Sequence, residues 1–422
     1  MSKLQSWLNG LTKDATPDFE ECLDWLGVFF PLLSRLSETP QDSQWHGEGN
    51  VAIHTEMVLQ SLYRLLQSQA QHIDGEKRQA LILGAVFHDI AKPLTTRTKV
   101  INGQERIVSP GHEERGAGYL APRLPKLGLN YPVAHQILGL VGYHQRPKLL
   151  VVRNADYAAY LSLALDVDPE LMYWMEMADM LGRSCDDQDK QLDLLAQFRL
   201  FNETYDLWQT EVSPVQSIWQ SVQTHQSEQA QVYLNGYAVS LLARGEITQP
   251  EEAIAKTYAH CGSYSNLYVM CGISGSGKST WIKKNLPDCQ VISLDDIREE
   301  INGRRASQKN LGQILQLARN RLKSALAKRQ DVVWDATNLR YDFRKIIGDF
   351  GRSYGALITL VVFHIEEKTF RKNDRNRRHT VGDEILNGQM ESLQYPSFTE
   401  GHRMLIIGER GETLAQYGCF ID

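Results

Sequence analysis

Residues 272–280 read Gly-Ile-Ser-Gly-Ser-Gly-Lys-Ser-Thr, and this nonapeptide functions in only one local architecture. A strand must lead into it and a helix must begin inside it, because its backbone amides close around phosphate oxygens at a helix N-terminus. The flanks comply. The short apolar run Leu267 to Cys271 precedes the loop, and a helical start, Thr280 to Lys284, follows it. Gly272, Gly277, Lys278 and Ser279 satisfy the pattern G-x-x-x-x-G-K-[ST], and Gly275 and Gly277 let amides close around a ligand with no Cβ in the way. Lys278 is placed for β- and γ-phosphates, the Ser279 hydroxyl for Mg²⁺, and Thr280 completes the set facing a nucleotide. ATP with Mg²⁺ is the expected ligand.

A phosphate loop of this kind commits its surroundings to a parallel sheet with crossover helices. Gln290 to Leu294, Asp331 to Trp334 and Leu357 to His364 are further short apolar runs, with helical stretches such as Asn310 to Lys328 between them. Residues 265–422 are therefore expected to form a doubly wound α/β domain. Upstream the period is helical. Val51 to Leu66, Ala80 to Ile90, Ala134 to Tyr143, Asp156 to Leu165 and Glu170 to Gly182 carry apolar residues at helical spacing, and Gln188 to Leu241 reads as two more helices. The expectation is an all-α domain over 1–245 and a linker over 246–264, within which Thr248, Pro250 and Glu251 resemble a helix cap. A chain of 422 residues is long enough for such a division.

Charge divides unevenly. Residues 263–422 carry 24 Lys+Arg against 19 Asp+Glu, whereas residues 1–262 carry 21 against 32. Broad contact with a polyanion is thus expected of the C-terminal part only. The six cysteines are scattered with no Cys-x-x-Cys pair, which argues against a zinc knuckle or a disulfide scaffold. The N-terminus is acidic and lacks a basic-then-apolar leader, and the apolar run Trp25 to Leu33 is too short to span a bilayer. The expected setting is the cytoplasm, away from membranes.

The helical half contains its own chemistry. His88-Asp89 ends an apolar helix, and Pro93 breaks the chain just beyond it. His54 lies on an amphipathic helix before this pair and Asp179 on a late helix. Imidazoles combined with carboxylates suit divalent cations that activate water for attack at phosphorus. Lys92 is placed to hold a phosphate oxygen, and His112 and His144 could build a second metal position. His135 lies nine residues before His144, half a turn out of phase, and reads as structural. His46 and His72 read as surface or capping histidines, with substrate contact open to His46.

In the other half, carboxylates in Ser293-Leu-Asp-Asp-Ile-Arg298 fall at the end of a strand beside the phosphate loop. Asp295 is expected to be a general base toward an acceptor hydroxyl, Asp296 a helix cap, and Arg298 a clamp on an acceptor anion. Arg371, Lys372, Arg375, Arg377 and Arg378 crowd a stretch that could close over ATP and stabilise charge on the transferring group.

The phosphate loop followed by Leu-Asp-Asp-Ile-Arg, Trp334-Asp-Ala-Thr-Asn338 and the arginine-rich stretch resembles the 5′-hydroxyl polynucleotide kinase family over residues 267–400. That resemblance implies that Asp295 is the base and that Arg298 binds the phosphate next to the accepting nucleotide. Arg371, Arg375 and Arg378 register on the family's lid arginines in more than one way, with Arg375 and Arg378 favoured here. Residues 46–183 resemble the HD superfamily, especially HD domains appended to CCA-adding nucleotidyltransferases, through His46-Gly-Glu-Gly49, His88-Asp-Ile-Ala-Lys-Pro93 and Gly111-His-Glu113. Asn50 and Ala91 depart from that pattern without removing a ligand.

The whole chain is similar to the bacterial HD-Pnk family of RNA end-healing enzymes. The resemblance implies ATP-dependent phosphorylation of 5′-OH ends with Mg²⁺. It also implies removal of 2′,3′-cyclic, 2′- or 3′-phosphates by one or two divalent transition metals. The implied partners are RNA ends, with DNA ends as an alternative, and a separate RNA ligase. The competing expectation is a small-molecule or nucleotide kinase fused to an HD nucleotidase.

Overall fold

The structure, a computed structural model, describes residues 2–224, 226–305, 309–377 and 379–421. It divides into two compact units, Met1–Glu211 and Val212–Asp422.

The first unit is built from helices whose apolar faces meet in one core. Helix Val51–Leu66 is capped by Asn50, whose side chain accepts the Ile53 amide at 3.0 Å. Asn50 thus serves an ordinary capping role at a position where the resembled family carries an acid. Helix Gly75–Phe87 is buried from Arg78 to Phe87 and lies close against helix Tyr131–Tyr143. A Cβ on Gly84 would come within 2.7 Å of Leu140 Cδ1, so glycine sets that approach. Helix Pro169–Leu181 is buried almost throughout and completes the core.

One element departs from the all-helical expectation. Strands β1 (Arg97–Ile101) and β2 (Gln104–Val108) form an antiparallel hairpin. Its turn is Asn102-Gly103, with φ of 52° and 79°. Two positive φ angles in a two-residue loop match the right-handed twist of the strands, which is why Asn-Gly closes hairpins so often.

The second unit is a six-stranded sheet. In chain order its strands are β3 (Asn266–Cys271), β4 (Gln290–Ser293), β5 (Val332–Asp335), β6 (Leu357–Phe363), β7 (Arg403–Ile407) and β8 (Thr413–Tyr417). In space the order is β4-β5-β3-β6-β7-β8, all parallel except β8, which pairs antiparallel with β7. The first four strands fall where the sequence places them, and the last two had not been anticipated. Met270, Trp281, Ile282, Val333, Val361 and Ile407 bury one face of the sheet. Each fully buried side chain of this size contributes roughly 1.5–3 kcal/mol.

The domain boundary lies elsewhere than expected. Helix Glu228–Ala243 belongs to the second unit, where Tyr233 donates its hydroxyl to Gly355 O at 3.0 Å and Tyr237 to Ala356 O at 2.9 Å, just before β6. The division therefore falls at 211/212, not at 245. The expected linker is the ordered helix Glu252–Cys261. Its entry is held by Glu252, which accepts the Thr248 and Gln249 amides at 2.9 and 2.8 Å, and not by Glu251. Among the described residues no helix is long and apolar enough to cross a membrane.

Candidate active sites

Six side chains that the sequence singled out converge in the first unit, and all are buried: His54, His88, Asp89, His112, His144 and Asp179. His88 and His144 each follow the last residue of a helix, where backbone carbonyls lack an intrahelical partner. Each turns its Nδ1 onto the carbonyl three residues back, His88 to Ala85 O at 2.8 Å and His144 to Val141 O at 3.0 Å. His112, at the first position of its helix, does the same to Ser109 O at 2.7 Å. Fixing the proton on Nδ1 leaves Nε2 as a lone pair aimed inward.

The inward atoms form two groups, His54–His88–Asp179 and Asp89–His112–His144, with the ligand atoms of each group within 4.8 Å of one another. Asp89 joins them. Its Oδ1 lies 3.1 Å from His112 Nε2 and its Oδ2 3.2 Å from His88 Nε2. The His112 and His144 Nε2 atoms face each other at 3.1 Å, and those of His54 and His88 at 3.4 Å. Facing nitrogen lone pairs buried beside carboxylates fit a cation held between them. Burial, reinforced by His112 and His88, holds the His144 imidazole well below its usual range, so it stays neutral as a ligand must. Burial alone would raise the Asp89 carboxyl, yet His88, Lys92 and His112 hold it well below the usual carboxylate range.

Further residues complete the centre. Lys92 Nζ lies 2.7 Å from Asp89 Oδ2. Arg183 hydrogen-bonds Asp179 Oδ1 through Nε at 3.1 Å. His46 is buried, not on the surface as expected, and its Nδ1 lies 2.8 Å from Glu48 Oε1. Glu48 also reaches His54 Nδ1 at 3.0 Å. Arg183 was legible as an i,i+4 partner of Asp179 at a helix end, and Glu48 as part of the His-Gly-Glu-Gly element. His135 is buried on the body of its helix and joins neither metal group, whereas His72 is half exposed and bonds Glu170 at 2.6 Å. A cleft of about 510 Å³ opens onto the cluster, with Lys92, His46, His112 and Arg183 in its wall.

In the second unit the phosphate loop has the anticipated strand, loop and helix, running from β3 into helix Lys278–Asn285. Gly275 and Gly277 adopt φ of 86° and 94°. A Cβ on Gly275 would stand 2.3 Å from Phe370 O, so no other residue fits there. Lys278 caps the loop, donating to Gly272 O at 2.7 Å and Ile273 O at 3.0 Å. Burial brings its pKa down to about 8.

The strands beside β3 are β5 and β6, not β4, and β5 lies on the side toward β4. β5 ends at Asp335, whose Oδ2 lies 3.5 Å from Ser279 Oγ and whose carboxyl burial pushes upward. Asp335 therefore stands beside the hydroxyl that the sequence expects to face Mg²⁺, a position the apolar run Val332 to Trp334 ending in a carboxylate could have signalled. β4 lies one strand further out, with Ser293 in register with Asp335. Helix Leu294–Asn302 starts there, and its cap is Ser293, which accepts the Asp296 amide at 3.3 Å. Asp296 is thus not the cap; its carboxylate pairs with Arg305. Asp295 is exposed and pairs with Arg298 one turn on.

Helix Glu367–Asn376 leans on the loop, with Asn373 donating to Gly275 O at 2.9 Å. Arg371 is tied to Glu367 and Asp383, and Arg375 is largely exposed, 3.7 Å from Asp383. Among the described residues of this stretch, Arg377 pairs with Asp374 and carries a charge that acts on Lys278. Arg378 lies outside the described residues. Gln389 accepts the Ser274 amide at 2.8 Å and returns a bond to its hydroxyl at 3.0 Å, a tether that nothing in the sequence pattern announced.

Two family models match the chain. Residues 51–170 match the HD domain and residues 267–396 the AAA domain. The chain thus pairs an HD domain in its helical half with a P-loop kinase-like domain on a mostly parallel sheet. No curated protein matches it. Among solved structures it is similar to a gluconokinase from Sinorhizobium meliloti 1021, at 20% identity and a TM-score of 0.27, over 35% of this chain and 84% of that one.

Proposed function

We propose that the chain heals broken RNA ends from both sides, phosphorylating a 5′-OH with ATP and removing 2′,3′-cyclic, 2′- or 3′-phosphates, as the resembled HD-Pnk family implies. One observation carries the choice of acceptor. Asp295 and Arg298 stand one helical turn apart at the end of β4, in the sheet that carries the phosphate loop. A base and an anion clamp at that spacing suit an acceptor with both a hydroxyl and a neighbouring phosphate, which is what a polynucleotide end offers.

In the kinase half, Asp295 accepts the proton of the 5′-OH once Arg298 has turned from it to the acceptor phosphate. Lys278 shifts from Gly272 O and Ile273 O to the nucleotide phosphates, and Ser279 with Asp335 would hold Mg²⁺. Arg377, paired with Asp374 and acting by charge on Lys278, offsets charge on the transferring group. In the HD half, His54, His88 and Asp179 would hold one divalent ion and Asp89, His112 and His144 a second. Bound ions there supply a polarised water and a Lewis acid for the phosphoryl oxygens. Lys92 holds a phosphate oxygen at the cluster, and Arg183 keeps Asp179 ionised and oriented. Sealing of the healed ends falls to a separate ligase.

The test is an RNA with a 5′-OH and a 2′,3′-cyclic phosphate, incubated with ATP and a divalent metal, with both ends analysed. Lys278→Ala is expected to lose only 5′-phosphorylation, and His88→Ala only end dephosphorylation. If a plain nucleoside is phosphorylated as well as an oligonucleotide and Arg298→Ala changes neither rate, the kinase acts on small molecules and the RNA reading fails.

A further inference from the structure

Residues 41–46 pass along the cleft of the N-terminal unit and are fastened at nearly every step. Gln41 Oε1 accepts a 2.7 Å hydrogen bond from Lys92 Nζ. Asp42 receives Arg106 of β2 through two contacts, Nε to Oδ2 at 2.6 Å and Nη2 to Oδ1 at 2.7 Å, and also accepts the Ile107 amide at 3.1 Å. His46 stands edge-on to the metal-cluster residue His54, with ring centres 4.8 Å apart.

Between these anchors Trp45 remains 46% exposed. The Arg106 guanidinium carbon lies 4.2 Å from its ring centre. Trp45 lines the same cleft as Lys92, His46 and His112, and Leu149 and Val152 contribute exposed apolar surface to that cleft. A tryptophan is the largest apolar surface a chain can leave in water, yet this loop fixes it in place without burying it. An indole carrying a cation over one face of its ring, at the mouth of a phosphate-handling cleft, has the composition of a base-stacking platform that offers its other face to a base.

We propose that Trp45 stacks on the nucleobase of the terminal nucleotide whose phosphate is presented to the histidine–aspartate cluster. This rests on the phosphoesterase half of the function proposed above and adds its specificity element. The platform favours nucleoside phosphates over phosphate esters that lack a base. Discrimination among the four bases is weak, because every base offers a π face. The Asp42–Arg106 pair is a positioning element that ties the platform to the hairpin.

The full chain, loaded with its divalent metal, is assayed on adenosine 3′-monophosphate and on glycerol 2-phosphate, which lacks a base. In Trp45→Ala the kcat/KM ratio between the two esters is expected to fall about ten- to hundredfold, carried by KM, and Trp45→Phe restores most of it. Separately, adenosine 3′-monophosphate quenches the fluorescence of the parent protein, and part of that quenching disappears in Trp45→Phe. An unchanged ratio in Trp45→Ala, with no quenching lost in Trp45→Phe, overturns the platform and leaves the phosphoesterase reading standing. If the parent hydrolyses neither ester, the phosphoesterase reading falls, and the quenching comparison alone decides whether the ring binds a base.

Discussion

A histidine at a helix end can do what one inside a helix cannot. His88, His112 and His144 each place Nδ1 on the carbonyl three residues back, leaving Nε2 for the centre. His135 sits on the body of helix Tyr131–Tyr143, where the carbonyls already serve the helix. Within the centre, Asp89 touches both metal groups whereas His144 belongs to one. Asp89→Ala is therefore expected to strip metal from both positions and His144→Ala from one, as read by elemental analysis of the purified proteins. Each should lower phosphoesterase turnover on the order of a hundredfold or more. Equal metal content in the two variants would contradict the shared carboxylate. His135 has a different consequence. Burial brings its pKa down to about 4, below the 6.5 of an exposed imidazole. Between those values the unfolded chain binds the proton and the folded one does not, so folding stability falls as pH drops through this window. At pH 5 the loss from this one group is about 2 kcal/mol relative to pH 7. Urea unfolding of the parent and of His135→Gln at the two pH values measures it as the part of the acid sensitivity that the variant lacks.

At the scale of elements, the turn after β5 holds the phosphate-loop strand in place. Asn338 donates to Met270 O on β3 at 2.6 Å, accepts the Trp334 indole at 3.2 Å and adopts a φ of 47°. Thr337 O takes the Gly272 amide at 3.0 Å. Asn338→Ala leaves a buried carbonyl and a buried indole N–H unpartnered at a backbone position that alanine resists. The expected cost is about 2–4 kcal/mol in thermal unfolding of the C-terminal unit, with the N-terminal transition unmoved. These residues show what kind of structure a sequence declares. The strand–loop–helix around Lys278 was legible because phosphate binding admits one local geometry. Helices such as Val51–Leu66 were legible from period alone. The hairpin β1–β2 was not, although Asn102-Gly103 announced it, because its exposed strands carry no apolar alternation. β7 was missed because Met404 to Ile407 is a four-residue apolar run, which short helices and strands share, and β8 because Thr413 to Tyr417 carries only scattered apolar residues. The six buried side chains of the histidine–aspartate cluster were legible as residue types in a known order. That Asp89 joins both groups and that Asp335, not a residue of β4, stands beside Ser279 depended on pairings no linear pattern contains.

At the scale of the whole molecule, the division at 211/212 changes what counts as the kinase half. The second unit carries 26 Lys+Arg against 23 Asp+Glu, a smaller excess than a cut at 262 implies, because the added helices are more acidic than basic. Those helices are structural. Val232 through Ala243 are buried without interruption, the signature of a helix inside a core. Gly236 lets that helix approach Leu357 of β6, where a Cβ would lie 3.1 Å from Leu357 Cδ1, and Tyr237 stacks on buried His402 with ring centres 4.1 Å apart. A fragment cut at the P-loop domain's apparent start, residues 265–422, loses this cover. Exposing what Tyr233, Gly236 and Tyr237 cover on the 265–422 segment forfeits on the order of several kcal/mol, a large fraction of the 5–15 kcal/mol that holds a whole domain together. Residues 212–422 expressed alone should therefore fold cooperatively and retain 5′-phosphorylation, whereas 265–422 should aggregate or lack a cooperative transition by circular dichroism. A stable, active 265–422 fragment would mean that the three helices before β3 are an appendage and that the unit boundary lies near the position the sequence pattern first indicated.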